Sequence, residues 1–211
     1  GKGVVGEDGT TEGKLTLWEK AKRLPRQAFQ KYGSIVASQN LSNPDLGPKA
    51  KKYISALSGS IEEHFQVNGK PEKLLFSFHG MPKRYLEEGD PYYCFCHKTA
   101  RLVAEDLALN KDDYDLCFQS RFGTEVWLQP YTDDVLKLYA REGIKNVAVI
   151  SPGFSVDCLE TLEEIEIQYK ELFLEIGGEN FSYISCLNDS EDHISLITDL
   201  IDSETKGWKN V

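Results

Sequence analysis

At 211 residues the chain is long enough for one domain with a sizeable core, and its 40% hydrophobic and 27% charged content is ordinary for a globular protein. Its net charge of −10 argues against a phosphate-binding nucleic-acid surface, because the excess lies after residue 48, where 29 acidic residues stand against 17 basic ones; before it, five stand against seven. No apolar run approaches the roughly 18–20 residues that span a bilayer, no secretory leader is visible, and five scattered cysteines suit reduced thiols better than a disulfide framework, so a cytoplasmic location is expected.

Residues 1–15 are Gly-rich and polar and read as a disordered tail. Residues 16–36 fit a basic amphipathic helix interrupted at Pro25, and 37–47 read as linker. A leader over 1–48 ahead of a domain over 49–211 is therefore expected. Tyr53, Leu57, Ile61 and Phe65 set a helical period, followed by an apolar strand over 73–78. A helix over 94–108 and a strand over 114–118 come next. A helix over 131–141 follows, with Pro130 placed to begin it, then a strand over 146–151. A long helix over 157–175, a strand over 181–186 and a helix over 189–203 complete the order. Strands that are apolar without alternation, regularly separated by helices, predict an α/β fold: a parallel four-stranded sheet with helices on both faces.

In such sheets chemistry gathers beyond the carboxyl ends of the strands. The first strand ends in "SFHG", and a histidine there can accept a proton near neutrality. On position alone, His79 divides evenly between that role and a structural bond to a loop carbonyl, with Gly80 leaving the approach to a ligand open. After the third strand, Asp157, Glu160, Glu164, Glu171 and Glu175 fall within roughly 60° of arc on an ideal helix. They read either as a ladder that conducts a divalent cation towards Glu160 or as a solvated face. Asp157 also suits a helix-start role. "CFCH" (94–97) lacks the second half that structural zinc requires, so a partly buried helix start is the better reading. Arg121, Trp127 and Tyr131 lie between the second strand and the next helix. They suit a flat anionic ligand held by stacking and a carboxylate pair, or else closure of the loop onto the sheet.

Three long segments are more specific. "LLFSFHGMPKRYLEEGDPYYCFCHKTARLVAEDL", "FQSRFGTEVWLQPYTDDVLKLYAREGIKNVAVISPGFSVDCLETLEEI" and "YISCLNDSEDHI" closely resemble the C-terminal lobe of ferrochelatases, especially proteobacterial ones, from about Lys51 to Ile201. The resemblance implies a chelatase-like lobe, one of two in that fold, and insertion of Fe²⁺ into protoporphyrin IX to form protoheme in heme biosynthesis, a lyase reaction. It implies that His79 and Glu160 are the catalytic pair across a porphyrin cleft, with His79, Glu160 and Glu164 on the metal's path. Trp127, Phe154, Tyr131 and Arg121 fall to the porphyrin. A wider, π-type turn is implied within 157–168.

Cys158 stands where many members have a histidine, and Gln168 where others have a carboxylate. No cysteine cluster follows the last helix, so no iron–sulfur cluster and no tightly bound cofactor are expected; Fe²⁺ enters as substrate. The expected partners are protoporphyrin IX and Fe²⁺, with no nucleic acid and with peripheral membrane association allowed. Residues 1–48 do not resemble the family's first lobe, so a missing N-terminal lobe or another chain is expected to complete the cleft. The alternative is a catalytically weak half-chelatase that serves as a porphyrin, heme or metal-binding module.

Overall fold

The computed structural model describes residues 48–208; the expectations for 1–15, 16–36 and 37–47 lie outside the described residues. Helix α1 (Pro48–Asn68) is followed by β1 (Lys73–His79), a short α2 (Lys83–Glu87), α3 (Tyr92–Asp106) and β2 (Tyr114–Gln119). Then come α4 (Thr132–Glu142), β3 (Asn146–Ile150), α5 (Leu159–Leu162), a π-helical turn over Glu164–Tyr169, α6 (Lys170–Glu175), β4 (Asn180–Ile184) and α7 (Glu191–Glu204). All four strands are parallel, in the order β2-β1-β3-β4. The α/β sheet expected from the apolar runs is thus present with each strand in its place.

Alternation of side chains along the strands supplies both faces of the sheet. Leu74, Phe76 and Phe78 of β1 pack with Tyr53, Leu57 and Ile61 of α1, Ala100 and Val103 of α3, and Leu196 and Leu200 of α7. On the other face Leu75, Val147 and Val149 meet Val135, Leu136 and Tyr139 of α4, together with Ile165 and Phe173. Each large apolar side chain buried in this way contributes about 1.5–3 kcal/mol. β1, like β3, is covered on both faces and paired on both edges, and His79 is its last residue.

The strand order locates the site. From β1 the chain crosses to β2 on one side through α2 and α3, whereas β3 leads to β4 on the other side, so the direction of winding reverses between β1 and β3. Ligands of open α/β sheets bind beyond the strand ends at such a switch point. At that rim β1 ends in His79, and the segment that leaves β3 begins with Ser151.

Two local expectations are corrected. The helix expected over 157–175 is three pieces: α5 starts only at Leu159, and the wider turn that the resemblance implies is present, with the amide of Gln168 donating to the carbonyl of Glu163 five residues back, the signature of a π turn. The 100° spacing behind the acidic ladder therefore fails at Glu164. Pro130 does not begin α4. It precedes the cap residue Tyr131, and its peptide bond with Gln129 is cis.

Candidate active site at the β1–β3 switch point

His79 is half-buried, and its Nδ1 lies 2.7 Å from the carbonyl oxygen of Gly80. A carbonyl only accepts, so Nδ1 carries the hydrogen and donates it. The neutral ring then presents its lone pair on Nε2, which has no protein hydrogen-bond partner among the described residues. The backbone behind the ring is fixed as well, because the Tyr92 hydroxyl donates to the His79 carbonyl at 2.9 Å. The Trp127 and Phe154 rings flank the imidazole, with centroids 6.5 Å and 6.2 Å away.

The loops leaving β1 and β2 are zipped together beside this ring. The amides of Gly80, Lys83 and Leu128 donate to the carbonyls of Gln119, Val126 and Met81 at 2.8–2.9 Å. A Cβ on Gly80 would lie 2.8 Å from the Gln119 carbonyl oxygen and 3.0 Å from Trp127 Cε3. Gly80 is therefore required for Trp127 to seat against the strand end. Trp127 itself is only 5% exposed. It backs His79 and offers no free stacking face, while Phe122, packed on it at 4.8 Å, is 72% exposed and does offer one.

Arg121 is also engaged differently from the expectation. Its guanidinium pairs with both oxygens of Asp133 at 2.8 and 3.1 Å and lies 4.0 Å over the Tyr131 ring. The Tyr131 hydroxyl in turn accepts from the Trp127 amide. Charge and ring are thus both engaged in tying the loop to the start of α4.

Glu160 stands at the start of α5, with its carboxyl held below the usual carboxylate range. The Cys158 thiol bonded to it contributes most, its own amide adds to this, and the charge of His79 acts in the same direction. Burial and the bond to Glu160 push the Cys158 thiol up in turn. Glu164 points elsewhere. Its carboxylate accepts from the Ser120 amide (2.7 Å), the Ser120 hydroxyl (2.5 Å) and the Tyr169 hydroxyl (3.1 Å). Among the described residues no three His, Cys, Asp or Glu side chains gather into a metal-binding cluster. The Glu164 carboxylate is instead engaged with Ser120 and Tyr169.

Asp157 does not cap α5; Cys158 takes the cap position, and its amide donates to Thr161 Oγ1. The Asp157 carboxylate instead ties the β3 exit to the β4 exit through Asn188 Nδ2 (2.7 Å), the Tyr183 hydroxyl (2.8 Å) and the Cys186 amide (3.2 Å). Burial alone would raise this carboxyl, but the bonds from Asn188, Tyr183 and Cys186 outweigh it and hold it below its ordinary value.

With this geometry in place, the comparisons with known proteins become specific. The ferrochelatase family model matches residues 45–205. The chain belongs to the ferrochelatase family. It is 54% identical over 157 residues to the ferrochelatase of Pseudoalteromonas atlantica, covering 74% of this chain and 44% of that protein. The ferrochelatase of Rhizobium johnstonii matches at 48% over 183 residues, 86% of this chain and 53% of its own length. That match is longer than residues 49–211 and so reaches into the segment upstream. The chain spans about half the length of the curated ferrochelatases it matches. Among solved structures, SirB from Bacillus subtilis with Fe3+ is similar with a TM-score of 0.49 at 14% identity, covering 72% of this chain and 56% of that one.

Within this ferrochelatase-family chain, the structure brings His79, Phe154 and Trp127 together on one side of the switch point, and Glu160 lies close enough to His79 to sense its charge. Arg121, Tyr131 and Glu164 are held in contacts of their own. Sequence reasoning passed over Gln119, Ser120 and Phe122, although all three lie inside "FQSRFG". A loop aromatic preceding a glycine is the one signal that pointed to Phe122.

Proposed function

We propose that this chain supplies the metal-side wall of a ferrochelatase, which inserts Fe²⁺ into protoporphyrin IX to form protoheme, a lyase reaction of heme biosynthesis. Metalation replaces two pyrrole N–H protons with one divalent cation. The two protons must therefore leave as the metal–nitrogen bonds form. The His79 Nε2 lone pair accepts one of them, because Nδ1 is already committed to Gly80. Glu160 enters the reaction as a carboxylate, and it either balances the imidazolium or takes the second proton. Phe122, Val126 and Val156 on the loops leaving β2 and β3, with Leu159 and Leu162 of α5, are exposed apolar side chains, and they provide surface for a macrocycle. Bending the ring to expose a nitrogen lone pair costs roughly 1–5 kcal/mol, drawn from such contacts. Fe²⁺ is substrate in this scheme and holds no resident site.

The observation that carries the reading is a histidine with its proton-accepting nitrogen free at the switch point, in a chain that the ferrochelatase model matches over residues 45–205. Adding Zn²⁺ or Fe²⁺ to the chain with protoporphyrin should change the porphyrin spectrum, and His79→Ala should abolish the change. Half coverage of the relatives favours a second reading: a weak half-chelatase that binds porphyrin or metal until another half closes the cleft. It predicts porphyrin binding without insertion. We place the activity in the cytoplasm, with peripheral membrane contact allowed; among the described residues no helix is long and apolar enough to cross a membrane.

A further inference from the structure

We propose that the Gln119–Ser120 dipeptide at the exit of β2 is the positioning element that sets Glu160 against His79. The inference rests on reading His79 and Glu160 as the reacting pair. The parallel register makes Gln119 the direct neighbour of His79 across β1 and β2. Gln119 is 1% exposed, yet every polar atom of its side chain is used. Oε1 accepts from the hydroxyls of Ser77 (2.8 Å) and Ser151 (3.3 Å), which belong to β1 and to the exit of β3. Nε2 donates to the backbone carbonyl of Glu160 at 2.6 Å and lies 3.4 Å from Glu164 Oε2. A carbonyl and a carboxylate can only accept, so the nitrogen must occupy that side of the amide.

Ser120 completes the grip. It adopts φ +63, a conformation uncommon for a residue other than glycine, and in it both amide and hydroxyl reach the Glu164 carboxylate. Two consecutive residues therefore hold two points of the interrupted helix, four residues apart. One grips the backbone of Glu160 and the other grips the carboxylate at which the π turn begins. The separation of Glu160 from His79 is set by one rung of the sheet plus one hydrogen bond. Neither link moves when an exposed loop moves, because both originate in the buried end of β2. Gln119 holds Glu160 by its backbone carbonyl, so this grip leaves the carboxylate to its contact with the Cys158 thiol and to the site.

The test uses the substrate-free chain and reads the titration of the Glu160 carboxyl by carbon-13 NMR. In the wild type, His79→Ala should raise the Glu160 midpoint, because it removes a nearby positive charge. In Gln119→Met the same His79→Ala change should raise it by less than half as much, with the fold retained by circular dichroism. Gln119→Asn keeps a buried amide but withdraws the donor by one methylene, and it should show the same loss. A full-sized His79 effect in either variant overturns the proposal, and so does the absence of any effect in the wild type. Failure of both variants to fold also overturns it, since holding Glu160 would then be inseparable from holding the sheet. No substrate is present, so a chain that inserts no metal can still pass this test, and one that inserts metal can still fail it.

Discussion

Gly80→Ala isolates what the glycine after His79 is for. The added Cβ would stand 2.8 Å from the Gln119 carbonyl oxygen, where C···O contacts normally begin near about 3.3 Å. It would also stand 3.0 Å from Trp127 Cε3, against about 3.5–4.0 Å for carbon pairs. Neither neighbour yields easily. The carbonyl accepts the Gly80 amide at 2.8 Å, and the indole is 5% exposed beneath Phe122. Overpacking of this kind costs about 1–3 kcal/mol, and weakening one backbone bond adds about 1 kcal/mol. Reduced freedom of the unfolded chain returns about 0.4–1 kcal/mol. The expected net loss is about 1–3.5 kcal/mol, or roughly 2–14 °C in melting temperature for a domain of this size. Thermal melts followed by circular dichroism, with tryptophan emission reporting on Trp127, measure it. A melt within about 1 °C of wild type and an unchanged emission spectrum would refute the packing argument. Lost porphyrin binding at full stability would restore the view that Gly80 clears a ligand's path.

Glu164→Gln should lower the urea midpoint, because the Ser120 amide, Ser120 hydroxyl and Tyr169 hydroxyl lose a charged acceptor worth about 1–3 kcal/mol. Zn²⁺ affinity by calorimetry should hold; a fall in affinity at unchanged stability would make Glu164 a ligand after all. The Asp157 carboxyl is depressed in the folded state, so its contribution is present above the unfolded value of about 3.9 and is lost as pH falls through the folded one. Asp157→Asn should therefore be less stable than wild type at pH 7, with the gap closing below about pH 4; a gap that widens in acid contradicts the assignment.

The sheet was legible because its two central strands are buried on both faces and read as nearly unbroken apolar runs, "LLFSF" in β1 and "VAVI" in β3. His79 was legible as a position, the polar end of such a run, but its free nitrogen depends on a bond to Gly80 that spacing does not show. The helix over 157–175 was misjudged because a 100° wheel assumes 3.6 residues per turn. The widening at Glu164 is held by Ser120 and Tyr169, one of them 44 residues away in sequence. Arg121 looked like a ligand-binding cation because its partner Asp133 belongs to another element. Gln119 was invisible for a related reason: an amide at a strand end has no period, and only the fold brings Ser77, Ser151 and Glu160 around it. α2, five residues with no buried face, left no pattern to read.

The central claim is that His79 accepts a pyrrole proton while metal enters a porphyrin. Its most direct test is anaerobic insertion of Fe²⁺ into protoporphyrin by the chain, followed as the loss of porphyrin fluorescence and compared with His79→Ala. The account predicts insertion faster than the uncatalysed rate in the wild type, slow if another half must close the cleft, and reduced to background in His79→Ala. A wild-type rate no faster than that of His79→Ala would contradict it.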